Sequence, residues 1–480
     1  MLFTAPSFLF VFLPLVLALH RLPGRRWRNG LLLVASVVFY ASGAGAFTSL
    51  ILASIAGNYL AALAVHRARG RPAGRWVLAG AVGANLAVLA VCKYTGFIGG
   101  NLTAALAAAG LPPVPVPDIT LPIGISFFTF HAISYVVDVA RGDAVAQKGP
   151  VEAALYLLFF PQLIAGPIIR YREIAAQLRA RVVGVPDVAI GARRFVTGLA
   201  KKMLVANTVA GPADRIFALP ASDLTTGLAW LGVACYTLQI YFDFSGYSDM
   251  AIGLGRMFGF RFPENFRHPY VATSVQDFWR RWHLSLSAWF RDYLYVPLGG
   301  NRARPARVYA NLVTVFALCG LWHGASWTFV VWGLFHGAFL VVERALGPRL
   351  PAPSPLTRAG GRAYALLVVM VGWVFFRAET LAGAWQILVA LAGGASAPTP
   401  TWGATWFLTT EVQLALLAGI VGATPVVPAL VARLGVAAGD GRLAGAAASA
   451  VTVVVVAGLL AASLLLSAAG TYSPFIYFQF

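Results

Sequence analysis

Long apolar runs separated by short polar or basic segments set the pattern of this chain. Residues 2–19, 76–91 and 447–469 contain almost no formal charge. A hydrocarbon core of ~30 Å needs roughly 20 apolar helical residues to cross it. By that measure the candidate crossings are 2–19, 30–45, 47–65, 76–97, 121–140, 151–168, 224–258, 307–321, 325–343, 363–377, 410–434 and 444–467. The pattern predicts an all-α integral membrane protein of about 11 or 12 transmembrane or re-entrant helices, since only helices or closed barrels satisfy their backbone in lipid. Segment 224–258 is long enough to be broken, and 151–168 short enough to be buried or re-entrant. Residues 348–355 and 396–400 read as loops by composition. The chain shows no internal repeat, which counts against a secondary transporter. No segment looks like a soluble domain, so 1–480 reads as one polytopic domain.

The stretch 276–297, QDFWRRWHLSLSAWFRDYLYVP, breaks this pattern. Phe278, Trp282, Leu286, Trp289 and Tyr293 recur every three or four residues, with Arg280, Arg281, Arg291 and Asp292 between them. That spacing predicts an amphipathic helix that lies in the interface or lines a cavity. An interfacial anchor explains the Trp and Arg residues but not His283.

Composition agrees with the hydropathy. Of the 480 residues 59% are hydrophobic and 11% charged, and the mean hydropathy is +0.75. Soluble domains carry about a quarter charged residues. The net charge of +19 does not point to nucleic acid, because the basic residues form short clusters between apolar runs. Arg21, Arg25, Arg26 and Arg28 form the first, and Arg67, Arg69, Arg71 and Arg75 the second. A longer one runs from Arg170 to Lys202. Cytoplasmic loops retain Lys and Arg, so the first two clusters are assigned inside and the N-terminus outside. The nearly uncharged, Pro-rich segment 99–120 fits an outside loop. The first run lacks a basic residue before it and has Arg after it, so it reads as a retained helix rather than a signal peptide. Cys92, Cys235 and Cys319 sit singly in apolar runs, without metal or disulfide spacing.

Three polar features stand against these apolar surroundings. His323 lies in ALCGLWHGASWTFVVWGLFHG, and ionisable groups inside membrane segments are rare and usually functional. His336 lies in the same region, and the residues alone do not choose between the two. Asp243 and Asp249, in DFSGYSD, need partners or water. They either support a broken helix or line a hydrated pocket. His283 is the third, and a histidine of ordinary pKa can act as general acid or base. No nucleophile elbow, phosphate loop or metal motif is present.

These residues fall in stretches that resemble the membrane-bound O-acyltransferase family, in its bacterial alginate O-acetyltransferase-like branch. The stretches are LPIGISFFTFH (121–131), FFPQLIAGPIIRYREI (159–174), YFDFSGYSDMAIGLGRMFGFRFPENFRHPY (241–270), DFWRRWHLSLSAWFRDYLYVPLGGNR (277–302) and LWHGASWTFVVWGLFHG (321–337). They occur in the family's order, and the core motifs span 121–345. The resemblance implies helices around a central tunnel in which a cytoplasmic acyl thioester meets an acceptor from the other side. The family's histidine matches His323, and the second polar residue of the branch matches His283. Trp279, Arg280, Trp282 and Trp322 would then shape the tunnel wall, and His336 becomes a pocket or packing residue.

The implied function is transfer of an acyl group, with acetyl expected, to a hydroxyl of an exported polysaccharide, with His323 as general base. D-alanyl transfer toward teichoic acid and a transporter or channel are the alternatives. No permanently bound cofactor or metal is expected. The co-substrate is acetyl-CoA or an acyl carrier thioester. Expected partners are membrane lipid, the glycan, an extracytoplasmic hydrolase-like acetyltransferase and an acyl carrier protein. The location implied is the bacterial inner membrane. An acyl-enzyme on Cys319, one turn from His323, is a lesser route. The aromatic tail 475–480 is either an interfacial belt or docks at the tunnel mouth and helps position the donor or a partner.

Overall fold

The computed structural model describes residues 1–22, 24–164, 166–347, 354–394, 401–437, 442–469 and 475. Among these the chain is helical, without a strand. It divides into two compact units, Met1–Phe195 with Met250–Pro263, and Val196–Asp249 with Glu264–Phe480.

The first unit opens with α1 (Phe8–His20), α2 (Arg25–Ala44), α3 (Phe47–Arg67), α4 (Pro72–Ala108) and α5 (Ile125–Arg141). It continues with α6 (Pro150–Leu163), α7 (Tyr171–Arg179) and α8 (Val185–Ala200). Phe8, Phe12, Phe39 and Phe160 interlock, with Phe12 and Phe39 each 5.4 Å from the Phe160 ring. Such offset and edge-on aromatic contacts add to the burial of large apolar area. Two of the long motifs meet here. His131 Nε2 accepts a hydrogen bond from the Ile169 amide at 3.2 Å, and the Tyr156 hydroxyl donates to the Ile169 carbonyl at 2.9 Å. The helix α4 runs to Ala108, so the first part of the expected outside loop 99–120 is helical. The run NLTAALAA explains this, because Ala and Leu are strong helix formers.

The second unit continues from a π-helical turn, Lys201–Ala206, into α9 (Asn207–Phe217) and α10 (Thr226–Met257). Then come α11 (Val275–Trp279), α12 (Leu284–Phe290), α13 (Pro305–His323), α14 (Trp327–Leu346), α15 (Pro355–Arg377) and α16 (Leu381–Leu391). Last are α17 (Ala404–Phe407), α18 (Thr410–Gly422), α19 (Val426–Ala437) and α20 (Arg442–Ala468). Ile216, Leu228, Val233, Val374, Ile387 and Phe407 form a core between α9, α10, α15, α16 and α17.

Several expectations change. The segment 224–258 forms one continuous helix of 32 residues, whose polar groups Thr237, Gln239, Asp243, Ser245 and Ser248 are buried in protein. The basic stretch 170–202 is not a loop cluster. It is largely helical, through α7, α8 and the start of the π-helical turn, and Lys202 is only 3% exposed. Residues 348–353 and 396–400 lie outside the described residues, while Ser354 caps α15 by accepting from the Thr357 amide at 3.1 Å. The helix α16 was missed by the hydropathy reading because it is short.

Six helices among the described residues are long and apolar enough to cross a membrane, namely α3, α4, α13, α14, α15 and Ala448–Ala468. Thr410–Gly422 and Val426–Arg433 make a seventh if, bent by 68°, they count as one span. The chain is a multi-pass membrane protein.

Candidate active site

The antiparallel pair α13 and α14 carries His323 at its turn. Glycine makes the pair possible. A Cβ on Gly320 would lie 2.2 Å from the Phe329 carbonyl oxygen, and one on Gly333 would lie 2.2 Å from that of Phe316. With no side chain at either position the two backbones touch, as small residues permit between membrane helices. The helix α13 ends at His323, where Gly324 turns extended at φ −158°. His323 therefore projects from a helix end into an aromatic box. Its ring lies 4.9 Å from Trp322, 5.1 Å from Trp332 and 5.2 Å from Phe376.

The predicted amphipathic helix over 276–297 is not one helix. It breaks after Trp279 into α11, a turn through Arg280–His283, and α12, followed by a π-helical turn at Arg291–Tyr295. His283 sits at the break with φ 44°. A non-glycine residue in this left-handed region costs about 1–2 kcal/mol, and such strain gathers at functional sites. The break, which periodicity does not reveal, swings the His283 ring inward. It stands edge-on to Phe244 at 4.6 Å and lies 6.4 Å from the His323 ring. Both imidazoles are almost fully buried. Loss of hydration pushes His283 far below its ordinary pKa, which favours the neutral form of the ring.

Trp322 contacts both imidazoles, at 4.9 and 6.3 Å. Trp279 packs on Trp332 at 5.8 Å and on Phe316 at 5.0 Å. Trp279 and Arg280 line a cavity of 220 Å³ together with Leu312, Val315, Phe316 and Cys319. Those last four occupy one face of α13 at helical spacing, and His323 follows one turn after Cys319 on the same face. Trp282 does not line this cavity and packs between Phe266, edge-on, and Trp373, tilted, at 5.0 Å each. His336 is enclosed by Trp332 at 5.2 Å and Trp279 at 5.3 Å.

Asp243 and Asp249 are each held in an ion pair with a lysine. Lys202 Nζ meets Asp243 Oδ1 at 2.6 Å, both side chains buried, and Lys201 Nζ meets Asp249 Oδ2 at 2.6 Å. The carboxylates are thus paired by cations of the π-helical turn, which answers the cost of burying them. Phe475 is buried against Tyr247 at 4.5 Å and Phe244 at 6.0 Å. The rest of the tail, 476–480, lies outside the described residues. Trp332, Phe376 and Phe244, which form the walls around the two rings, were not singled out by sequence reasoning. Nothing in the local pattern distinguishes them from other buried aromatics. No group of acidic, histidine and cysteine side chains able to hold a metal occurs among the described residues.

Residues 122–381, more than half of the chain, match the membrane-bound O-acyltransferase family. The chain belongs to that family. It is an O-acyltransferase, and the transporter or channel alternative gives way. This O-acyltransferase is 49% identical over 393 residues to the probable alginate O-acetylase AlgI of Azotobacter vinelandii, covering 82% of this chain and 78% of that one. It is 36% identical over 430 residues to the peptidoglycan O-acetyltransferase of Helicobacter pylori, covering 82% and 80%. Similarity to the teichoic acid D-alanyltransferase of Bacillus subtilis is lower, 29% over 241 residues, covering 48% and 60%. The family implies an acyl donor as co-substrate.

Proposed function

We propose that this O-acyltransferase moves an acetyl group from a cytoplasmic thioester to a hydroxyl of an exported polysaccharide, with His323 as general base. The observation that carries the reading is the pairing of His323 with His283 inside an aromatic box, with Asp243 and Asp249 engaged by lysines. In this reaction the acceptor oxygen attacks the thioester carbonyl. Its proton passes to the His323 imidazole as the new C–O bond forms. The C–S bond then breaks, and the leaving sulfur takes the proton. A hydroxyl loses its proton far above neutral pH, so the attack needs a base already in place. His283 orients the acceptor or relays the proton. The acyl end of the donor lies in the cavity along α13, beside Trp279, whose lining residues lead toward His323. Arg280, exposed at that cavity, suits a phosphate-bearing carrier arm, whether of acetyl-CoA or of an acyl carrier protein. Trp322 shapes the space between the imidazoles. This chemistry needs the central tunnel that the resemblance implies.

The polysaccharide acceptor is favoured over teichoic acid because identity to the alginate and peptidoglycan enzymes is higher and covers more of the chain. A separate hydrolase-like acetyltransferase on the far side of the bacterial inner membrane would complete the transfer. The arginine clusters near residues 21–28 and 67–75 support a cytoplasmic position for those segments and an extracytoplasmic N-terminus.

The test is mass spectrometry of cell-envelope glycans from a deletion strain complemented with wild type or His323→Ala. Loss of acetylated glycan with normal protein in the membrane is expected. Wild-type acetylation by the variant would sink the assignment, and loss of D-alanyl esters instead would select the teichoic acid reading.

A further inference from the structure

We infer that Asn265 is a positioning residue that holds the His283 turn in place for acyl transfer. The inference rests on the role given to His283 above. A left-handed backbone at a residue with a Cβ is disfavoured, so the surrounding structure has to maintain it. The helix α12 begins directly after His283 and lacks a side-chain cap from the residue at its start. Its first amides therefore seek acceptors elsewhere. Asn265 supplies them from a distant part of the chain. Its carbonyl oxygen accepts from the Leu284 amide at 3.0 Å, and its Oδ1 accepts from the Ser285 amide at 3.3 Å and the Ser285 hydroxyl at 2.9 Å.

The same side chain reaches the opposite wall. Asn265 Nδ2 donates to Ser248 Oγ at 2.9 Å. Ser248 lies on α10, one helical turn beyond Phe244, the ring against which His283 leans. Asn265 thus ties the backbone that carries His283 to the helix that carries its aromatic support. Two adjoining contacts keep the register. The Arg267 amide donates to the Arg281 carbonyl at 2.9 Å, and the Phe266 ring lies 5.0 Å from both Phe244 and Trp282. Asn265 is 1% exposed, so water does not compete for these bonds. An amide suits the position because it offers an acceptor to α12 and a donor to α10 at once.

Asn265 touches no reacting atom in this scheme and acts through His283. The experiment is a double-mutant cycle on the purified full-length enzyme in lipid nanodiscs. It reads acetyl transfer from acetyl-CoA per folded molecule, with thermal unfolding followed in parallel. Asn265→Ala is expected to lower kcat about ten- to a hundredfold, as misplacement of a reacting group by about 1 Å does. The KM for acetyl-CoA should change less than kcat, since Asn265 holds the Leu284–Ser285 side of the turn while Trp279 and Arg280, which line the donor cavity, lie at its other end. In a His283→Ala background the same substitution should cost nothing further, because residues that act through one another are not additive. Ser248→Ala, which removes only the Nδ2 partner, should lose a few-fold in the same direction. It carries the cycle if Asn265→Ala does not accumulate.

Unchanged kcat in Asn265→Ala beside an impaired His283→Ala overturns the inference and leaves the function standing. So does an equal loss in both backgrounds, which marks a general structural role. A His283→Ala enzyme with wild-type turnover removes the role of His283 and the inference with it.

Discussion

The ring centroids of His283 and His323 lie 6.4 Å apart although 40 positions separate the residues in sequence. Trp322 contacts both rings, and Phe244 and Phe376 support them from other helices. The arrangement needs a helix end, a strained turn and a glycine-packed helix pair together, and each part can be tested separately.

His336 lies on the same helix as Trp332 and shares that ring with His323, yet it is packed as one aromatic among others. His336→Phe should keep acetyl transfer within a few-fold of wild type, because the imidazole it replaces is held by aromatic packing against Trp279 and Trp332 at 5.3 and 5.2 Å. His323→Phe should lose about 10²–10⁴-fold, the usual contribution of a positioned base. Equal losses in the two variants, measured per folded molecule, would deny the distinction.

Cys319 is buried on the cavity face of α13, one turn before His323. If transfer is direct, Cys319→Ser should retain turnover within about threefold, since Ser differs little in volume. An acyl-enzyme route through the thiol predicts loss of activity together with loss of a trapped acetyl adduct. Single-turnover labelling with radioactive acetyl-CoA distinguishes the two.

Gly333→Ala places a methyl group 2.2 Å from the Phe316 carbonyl oxygen, so α13 and α14 must move apart. Overpacking of this kind costs about 1–3 kcal/mol. A lower unfolding temperature and reduced transfer are expected, because the separation also displaces His323 from Trp332. Gly360, with open space around its Cβ position, is the control. Gly360→Ala should leave both readouts near wild type.

The Lys202–Asp243 pair is buried on both sides, with side chains 4% and 2% exposed. Lys202→Ala removes the cation 2.6 Å from the carboxylate and should destabilise the protein by about 3–5 kcal/mol. Lys202→Met with Asp243→Asn should recover much of that loss. If the double variant unfolds like the single one, the carboxylate has a task beyond pairing with Lys202.

Phe475 packs on Tyr247 and Phe244, and Phe244 is also the ring that supports His283. Removing 475–480 should therefore lower turnover several-fold at unchanged protein level. Full activity after the deletion would assign the tail to an interfacial belt.

Hydropathy was enough to read the class of the protein, because a bilayer demands long apolar helices and that demand is written linearly. His323 and His283 were legible too, since each sits in a continuous motif. The lysine partners of Asp243 and Asp249 were not. Lys202 lies 41 positions before Asp243 and Lys201 48 before Asp249, and both look locally like loop charges. Their helical context and the π-helical turn carry them against α10. Trp282 and Trp279 lie three positions apart, yet the break at Arg280–His283 separates their surroundings: Trp282 packs against Phe266 and Trp373, while Trp279 lines the cavity.

The amino-acid sequence by itself determined an all-α membrane protein, its family motifs and the histidines worth examining. All of these depend on the order and spacing of neighbours along the chain. The tertiary structure alone decided that 276–297 breaks at His283, that Asn265 anchors the break, that lysines neutralise the buried carboxylates, and which aromatics enclose the imidazoles. Those outcomes depend on hydrogen-bond partners and packing surfaces brought together from distant segments, and helical periodicity carries no information about which distant surfaces will meet.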